Sequence, residues 1–136
     1  MLKKLFAIIT ALIFCISTYA ANNLQKPIFN SPKNPIILQH NQKTFTITLP
    51  ANPSTGFSWT LAKYDQRIMN PVAHKYFAPN NKKLMGAPGY VVWTFRVKKM
   101  DNLAVNQMFH VTMQYARPRT KYERTDSNFI IIVKAK

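Results

Sequence analysis

The chain has 136 residues, 47% of them hydrophobic, so it is long enough for one domain with an adequate core and too short for two. It carries 19 lysine and arginine residues against 4 acidic ones, a formal net charge of +15 that should attract acidic partners but does not determine the fold. The basic residues are spread over loops and strand ends, with no basic helix or nucleic-acid-binding motif among them, so no nucleic acid partner is expected.

The N-terminus has the pattern of a secretory signal peptide. Two lysines precede an apolar run over residues 5–16, and small residues follow up to Ala20. We therefore predict a signal peptide at residues 1–20, cleavage near Ala20, and export to the periplasm or the exterior without a remaining membrane anchor. A retained N-terminal anchor is the alternative, but the run is short for a membrane span. Cys15, the one cysteine of the chain, lies in this segment, so no disulfide is expected.

Short strand patterns recur after a loosely ordered N-terminal arm predicted for residues 21–33. Residues 35–38 and 43–49 predict a hairpin, residues 57–61 resume the alternation of apolar and polar side chains, and residues 72–77 are a further candidate strand. The strongest alternation lies in residues 90–98, 107–115 and 128–134. Since prolines interrupt the other segments and no helical period is sustained, residues 34–136 are predicted to form a single all-β domain, an antiparallel immunoglobulin-like β-sandwich of six to eight strands.

Three proline-containing loops interrupt this pattern. The first, residues 52–57, joins two predicted strands; Pro53 restricts its own φ and the preceding residue, and Gly56 allows a backbone angle that other residues resist. The other two glycines of the chain lie in the second loop, residues 86–89, and the third loop contains residues 117–119. Rigid loops on an all-β frame predict a binding edge.

In order and spacing these loops resemble those of the chagasin family of cysteine-peptidase inhibitors. That family carries an Asn-Pro-Thr-Thr-Gly-aromatic loop, a glycine-rich loop and an Arg-Pro-aromatic loop, and the resemblance runs from about residue 36 to residue 136. Ser54 stands where the first loop of the family has its first Thr, and Arg119 stands where the third loop usually has an aromatic residue. The resemblance implies a β-sandwich that binds a papain-like cysteine peptidase through the following residues: Asn52, Pro53, Ser54, Thr55, Gly56, Phe57, Gly86, Ala87, Pro88, Gly89, Arg117, Pro118 and Arg119.

The resemblance also implies a division of roles among these residues. In the family the first loop enters the catalytic centre of the peptidase, so Ser54 and Thr55 would lie over its Cys and His. Asn52, Pro53 and Gly56 would hold the shape of the loop, and the other two loops would grip the walls of the groove. We accordingly expect a reversible inhibitor that acts as a monomer and needs no cofactor.

The residues themselves offer little for catalysis. The 3 histidines and 4 carboxylates are scattered singly, without metal-ligand spacing, and no cysteine nucleophile would remain after cleavage. No catalytic residue, metal site or enzyme activity is therefore predicted. Trp59, Trp93 and Phe95 alternate with polar residues and are expected to pack in the core rather than to bind a ligand.

Two alternatives remain open from the sequence alone. Arg117 precedes a proline in a loop, so it is either available to a partner or engaged in a surface salt bridge with Asp126 or Glu123. The chain as a whole is either an inhibitor or a non-inhibitory exported immunoglobulin-like binding module whose basic face binds an acidic partner or a polyanion.

Overall fold

The structure, a computed structural model, describes residues 27–79, 86–98, 103–119 and 123–136. The predicted signal peptide, its cleavage position and the first part of the predicted arm lie outside these residues. Within the described ranges there is no helix with the length and apolarity that crossing a membrane requires.

The described chain forms two β-sheets that pack into a sandwich. Its elements are β1 (Ile36–Leu38), β2 (Thr44–Ala51), a 3₁₀ turn (Pro53–Thr55), β3 (Ser58–Lys63), β4 (Met69–Phe77), β5 (Gly89–Val97), β6 (Gln107–Ala116) and β7 (Arg124–Val133). One sheet has the strand order β1-β7-β6-β3 and the other has the order β2-β5-β4. The prediction of an all-β sandwich of six to eight strands is confirmed, with seven strands described.

The alternation of side chains along each strand decides which of them enter the core. In β2 the apolar residues Phe45, Ile47 and Leu49 are buried, whereas Thr44 and Thr46 face solvent. Burying each such large apolar side chain stabilises the fold by about 1.5–3 kcal/mol. Core residues of the three longest-patterned strands alternate in the same way: Val91 and Phe95 of β5, Val111 and Met113 of β6, and Phe129, Ile131 and Val133 of β7.

The aromatic residues expected in the core are buried to different extents. Phe95 is fully buried, whereas Trp59 and Trp93 are half-buried and pack against the core from its margin. His74 lies opposite Trp93 and stacks on its ring, with centroids 4.6 Å apart. The expectation that these rings pack in the sandwich is therefore correct, although only Phe95 lies at its centre.

The predicted hairpin between the first two strands is wrong. β1 lies beside β7 in the four-stranded sheet, with Ile37 opposite Ile132, whereas β2 lies beside β5 in the other sheet. The β1–β7 pair is parallel, so the otherwise antiparallel sandwich has one parallel edge. The chain does turn where expected, since the amide of Gln42 donates to the carbonyl oxygen of Gln39 at 2.9 Å. The turn crosses between sheets because Leu38 and the apolar face of β2 enter the same core from opposite sides.

The segment before β1 contacts the free edge of β2. The amide of Thr48 donates to Oδ1 of Asn30 at 2.7 Å, and the amide of Asn30 donates to the carbonyl oxygen of Thr48 at 2.9 Å. The ring of Phe29 lies edge-on to Tyr90, with centroids 6.3 Å apart. These contacts, which fall in the second half of the predicted arm, occupy a donor and an acceptor that an edge strand would otherwise expose.

Candidate functional site

The candidate site residues lie in three connections between strands. We call them loop 1 (residues 52–57, between β2 and β3), loop 2 (residues 86–88, before β5) and loop 3 (residues 117–119, after β6). The one candidate residue outside them, Gly89, is the first residue of β5. Residues 80–85 and 120–122, which complete the second and third connections, lie outside the described part of the chain.

Two strand registers place loop 1 between the other two loops. Ala51 at the end of β2 lies opposite Gly89, so loop 1 leaves the three-stranded sheet beside loop 2. Ser58 at the start of β3 lies opposite Ala116, the last residue of β6, so loop 1 joins the four-stranded sheet beside loop 3. The three loops therefore lie together at one end of the sandwich.

Loop 1 is a 3₁₀ turn closed by its own hydrogen bonds. The amide of Thr55 donates to the carbonyl oxygen of Asn52 at 3.1 Å, and the amide of Gly56 donates to the carbonyl oxygen of Pro53 at 2.9 Å. The hydroxyl of Thr55 donates to the same Asn52 oxygen at 2.7 Å, and the hydroxyl of Ser54 donates to Asn52 Oδ1 at 2.6 Å. Gly56 then reverses the chain at φ +77°, a left-handed conformation that glycine adopts without steric cost. Since the four residues after Asn52 are exposed, the turn projects from the sandwich with its shape already set.

Asn52 fastens loop 1 to loop 2. Its Nδ2 donates to the carbonyl oxygen of Gly86 at 3.0 Å, while its two oxygens accept the bonds from within loop 1. Gly86 has φ +76°, and no atom lies within 4 Å of the position that a Cβ would take. Glycine is therefore required there by the backbone angle and not by lack of space. One amide side chain thus sets the position of loop 2 relative to the exposed turn.

Arg117 fastens loop 1 to loop 3. Its Nε donates to the carbonyl oxygen of Thr55 at 3.1 Å, and its guanidinium carbon lies 4.6 Å from the centroid of the Phe57 ring. A terminal nitrogen of the same guanidinium donates to the carboxylate of Glu123 at 3.1 Å. The salt bridge that the sequence left open is thus present with Glu123. Because both of its partners are exposed, it contributes only about 0–1 kcal/mol to stability.

A group of aromatic rings supports loop 1 at its base. Phe57 stacks on Tyr115 with centroids 5.2 Å apart, and Trp59 lies against the same tyrosine at 4.8 Å. Nε1 of Trp59 donates to the carbonyl oxygen of Pro50 at 2.8 Å, which joins β3 to β2 on either side of the loop. Tyr115 was not among the candidate residues. Its alternation with core residues marks it only as part of a strand, and its contact with Phe57 depends on the register of β3 against β6.

Gly89 is required by the close approach of two strands. A Cβ at this position would lie 2.2 Å from the carbonyl oxygen of Phe77 and 2.6 Å from the hydroxyl oxygen of Tyr76. Real Cβ contacts are never that short, so any other residue would push β4 and β5 apart where loop 2 ends. Gly89 is therefore a structural residue beside the site. Of its neighbours in loop 2, Ala87 is half-buried and Pro88 is exposed.

Arg119 occupies an unusual backbone conformation. Its φ is +69°, and among the described residues it is the one non-glycine residue with a positive φ. For a residue with a side chain this conformation costs roughly 1–2 kcal/mol, and such strain is concentrated at functional loops. Arg119 and the preceding Pro118 are both exposed.

The candidate residues thus lie at one end of the sandwich but are linked unequally. Asn52, Thr55, Phe57, Gly86 and Arg117 contact one another across the loops, whereas the remaining loop residues are held by their own segments or project into solvent. In the described part of the chain, no group of three or more His, Cys, Asp or Glu residues could hold a metal ion. The site offers exposed backbone and hydroxyl groups on a fixed frame, an arrangement suited to contact with another protein surface.

Comparison with known proteins assigns the chain to a family. Residues 39–133 match the family model described as Chagasin family peptidase inhibitor I42, and this range includes all three loops. Chagasin of Trypanosoma cruzi is 32% identical over 108 residues, which is 71% of this chain and 92% of that protein. The crystal structure of the cysteine protease inhibitor EhICP2 from Entamoeba histolytica has a similar fold, with a TM-score of 0.51 and 20% identity over 74% of this chain and 95% of that one. The chain therefore belongs to the chagasin family of peptidase inhibitors.

Proposed function

We propose that the chain is a reversible inhibitor of papain-like cysteine peptidases and blocks the active-site groove with loops 1, 2 and 3. The family consists of inhibitors and not of enzymes, and a similar fold is found in a protein named as a cysteine protease inhibitor. The observation that carries the proposal is the pair of cross-loop hydrogen bonds, from Asn52 to Gly86 and from Arg117 to Thr55, which hold a projecting turn between two flanking loops.

The shape of loop 1 suits a narrow groove. A papain-like peptidase holds its Cys-His pair in a cleft, and a turn lying over that pair excludes the substrate. Ser54 and Thr55 are small and exposed, and both hydroxyls already bond to Asn52, so they need little reordering on binding. A loop shaped in advance avoids an entropic cost of about 0.5–1.5 kcal/mol for each side chain that binding would otherwise immobilise.

The turn also explains why inhibition should be reversible. A peptidase cleaves a segment that lies extended across its catalytic centre. Loop 1 is held in a 3₁₀ conformation by bonds from the amides of Thr55 and Gly56, and Pro53 restricts the backbone further. No peptide bond of the turn is therefore presented in the extended form that attack requires. Incubation of the inhibitor with an active peptidase should leave loop 1 uncut, as judged by mass spectrometry.

We further propose that the mature protein is exported and acts as a monomer. The N-terminal sequence supports export, with its short apolar run and the small residues up to Ala20. N-terminal sequencing of the protein recovered outside the cytoplasm should begin at Ala21, and size-exclusion chromatography should give the mass of one chain. A protein that keeps residues 1–20 after export would contradict this part of the proposal.

A matched pair of substitutions tests the inhibitory role. Ser54→Arg places a long side chain on the exposed turn, and Thr46→Arg places the same side chain on the exposed face of β2, away from the loops. We expect Ser54→Arg to raise the inhibition constant against papain-like peptidases by about a hundredfold, equivalent to about 2.7 kcal/mol, because the turn no longer enters the groove. Thr46→Arg should inhibit like the parent, and thermal unfolding should show that both variants fold.

Inhibition by the parent protein is itself the decisive measurement. If micromolar folded protein inhibits none of a panel of papain-like peptidases, the proposal is wrong and a non-inhibitory binding module becomes the better account. Salt dependence separates the two functions. Binding to a polyanion should be lost at high salt, whereas an inhibitor that fills a groove should lose mainly association rate.

A further inference from the structure

The positive charge of the described chain is concentrated at the end of the sandwich opposite loops 1–3. Lysine and arginine side chains lie there beside the first residue of β2, at or after the ends of β3, β5 and β7, and in the β3–β4 turn. We call this surface the basic end, and its exposed cations are Lys43, Lys63, Arg67, Arg96, Lys98, Lys134 and Lys136. Among the described residues near the loop end, by contrast, the acidic side chains of Glu123 and Asp126 offset part of the charge of Lys75, Arg117, Arg119 and Arg124.

Hydrogen bonds hold the cations of the basic end on a fixed frame. The amide of Val97 donates to the carbonyl oxygen of Lys43 at 2.8 Å, which joins the start of β2 to the end of β5. The amide of Lys98 donates to the carbonyl oxygen of Ile68 at 2.7 Å, which joins the end of β5 to the β3–β4 turn. The charge is thus part of the folded surface and not of a loose tail.

Among the described residues, the one acidic side chain at the basic end, Asp65, is already engaged. Arg67 donates from Nε to Oδ1 of Asp65 at 3.1 Å and from a terminal nitrogen to Oδ2 at 2.9 Å. These hydrogen bonds lower the pKa of the Asp65 carboxyl, so it stays ionised and paired at neutral pH. Lys98 lies near enough to Asp65 to lower its pKa further, and among the described residues no other cation of the basic end forms a salt bridge.

Exposed apolar side chains lie among these cations. Ile37 and Met108 lie on the outer face of the four-stranded sheet, on either side of the half-buried Ile132 of β7. Met108 is 60% exposed and Ile37 is 52% exposed, and Val105, just before β6 at the same end, is 63% exposed. An apolar row of this kind beside uncompensated cations is typical of a surface that contacts another phase or molecule.

A groove of about 620 Å³ joins the charged and apolar groups. Its lining includes Met108 and His110 of β6, Lys63 of β3, and the paired side chains of Asp65 and Arg67 from the β3–β4 turn. Tyr64 and Asn128 add hydroxyl and amide groups to its lining. It therefore offers cationic and hydrogen-bonding groups next to an apolar side chain, the combination that a phosphate headgroup with attached acyl chains would contact.

We propose that the basic end binds the surface of a bilayer that contains anionic phospholipids. The cations would lie against the headgroups, and Ile37, Val105 and Met108 would enter the interface. A soluble polyanion would use the charges but would gain nothing from the apolar row, so a lipid surface fits the observations better. A molecule bound in this way keeps loops 1–3 directed into solvent, where a peptidase can reach them.

Vesicle co-sedimentation of the processed protein, which begins at Ala21, tests the charge contribution. We expect binding to phosphatidylglycerol–phosphatidylcholine vesicles that is lost at high salt, and much weaker binding to pure phosphatidylcholine. Lys63→Gln with Lys134→Gln should weaken partitioning about thirtyfold, since each basic residue near an anionic surface contributes about 1 kcal/mol. Lys75→Gln with Arg124→Gln removes the same charge elsewhere and should have far less effect. All variants share the same residues before position 27, so differences between them report the substituted surface positions.

The apolar contribution separates a membrane from a soluble polyanion. Met108→Ser should weaken binding to anionic vesicles about fivefold, because part of one methionine side chain is no longer buried in the interface. The same substitution should not alter binding to dextran sulfate. The proposal is wrong if Met108→Ser binds vesicles like the parent, or if the two charge pairs weaken binding equally. Inhibition of papain-like peptidases should be unchanged in these basic-end variants, so failure here is distinguishable from failure of the inhibitory function.

Discussion

Arg117 and Phe57 form a cation–π pair that joins loop 3 to loop 1. The guanidinium carbon lies 4.6 Å from the ring centroid, while Nε of the same guanidinium donates to the carbonyl oxygen of Thr55 at 3.1 Å. A planar guanidinium can stack on a ring and donate in its own plane at once, whereas a lysine ammonium has no such plane. Arg117 thus positions the exposed turn of loop 1 as well as adding charge to the surface.

Replacing Arg117 with lysine tests this positioning role. Arg117→Lys keeps the charge but loses the stack on Phe57 or the bond to Thr55, each worth roughly 0.5–1.5 kcal/mol. We expect the inhibition constant for a papain-like peptidase to rise about tenfold, with little change in melting temperature because the residue is exposed. Arg124→Lys, at the start of β7, is the control and should inhibit like the parent. An unchanged constant for Arg117→Lys would mean that loop 1 keeps its position without the guanidinium.

Asn52→Asp removes one hydrogen-bond donor and preserves the size of the side chain. Aspartate still accepts the bond from the Ser54 hydroxyl, but it cannot donate to the carbonyl oxygen of Gly86 and places a negative charge beside it. We expect inhibition to weaken about tenfold, since loop 2 is no longer fastened to loop 1. Asn41→Asp adds the same charge in the exposed turn between β1 and β2 and is the control. Equal inhibition constants for the two variants would count against a role for the tether.

Gly56→Val tests whether the backbone conformation of loop 1 matters. Gly56 has φ +77°, which a β-branched residue rarely adopts, so the turn must change shape. We expect inhibition to weaken more than about tenfold, with the fold largely intact, because Gly56 is exposed and its new Cβ would meet only the flexible Arg117 side chain, at 3.8 Å. Gly56→Asn should retain most inhibition, since asparagine tolerates this conformation. A valine variant that inhibits like the parent would show that loop 1 does not act as a pre-shaped turn.

The shape of the loops could be predicted because local residues determine it. Pro53 and Gly56 restrict the backbone within a few positions, so the sequence of loop 1 is enough to predict a defined turn. All 3 glycines of the chain occupy positions that need glycine: two have a positive φ, and the third lies at a close approach of two strands. The apolar faces of the strongest strands were predictable for the same reason, since period two is a local property.

The contacts between the loops could not be predicted from such patterns. Asn52 and Gly86 are 34 positions apart, and Thr55 and Arg117 are 62 positions apart. Their contacts depend on the registers of β2 against β5 and of β3 against β6, which alternation within a strand does not specify. The pairing of β1 with β7 escaped prediction likewise, because alternation does not reveal whether two neighbouring strands share a sheet.

Gly89→Ala should destabilise the fold rather than change the loops. The new Cβ would lie 2.2 Å from the carbonyl oxygen of Phe77, a backbone atom that cannot move without disturbing the pairing of β4 and β5. We expect a loss of about 1–3 kcal/mol, seen as a melting temperature lower by several degrees. Gly86→Ala has open space for its Cβ and only the strain of a positive φ, so it should cost less. Equal melting temperatures would contradict the close-approach role of Gly89.

Arg119 is the residue of loop 3 at which a substitution should strengthen binding. Arg119 is exposed, and its backbone already has a positive φ. Replacing its side chain should therefore change the contact with the target more than the conformation of loop 3. An aromatic side chain would bury apolar area against a groove wall, worth about 1–2 kcal/mol, whereas a guanidinium keeps its hydration unless it meets a carboxylate. We therefore expect Arg119 either to lower affinity in general or to favour peptidases with an acidic wall.

We predict that Arg119→Trp lowers the inhibition constant for generic papain-like peptidases by about five- to thirtyfold, the equivalent of about 1–2 kcal/mol. Inhibition should also become less sensitive to salt, because an apolar contact replaces a charged one. The measurement is the inhibition constant of both forms at low and high salt, and Arg96→Trp, at the basic end, is the control that should change neither value. If the tryptophan form is weaker on every peptidase tested, loop 3 either does not contact the target at this position or binds it through the charge, and the role assigned to Pro118 and Arg119 must be redrawn.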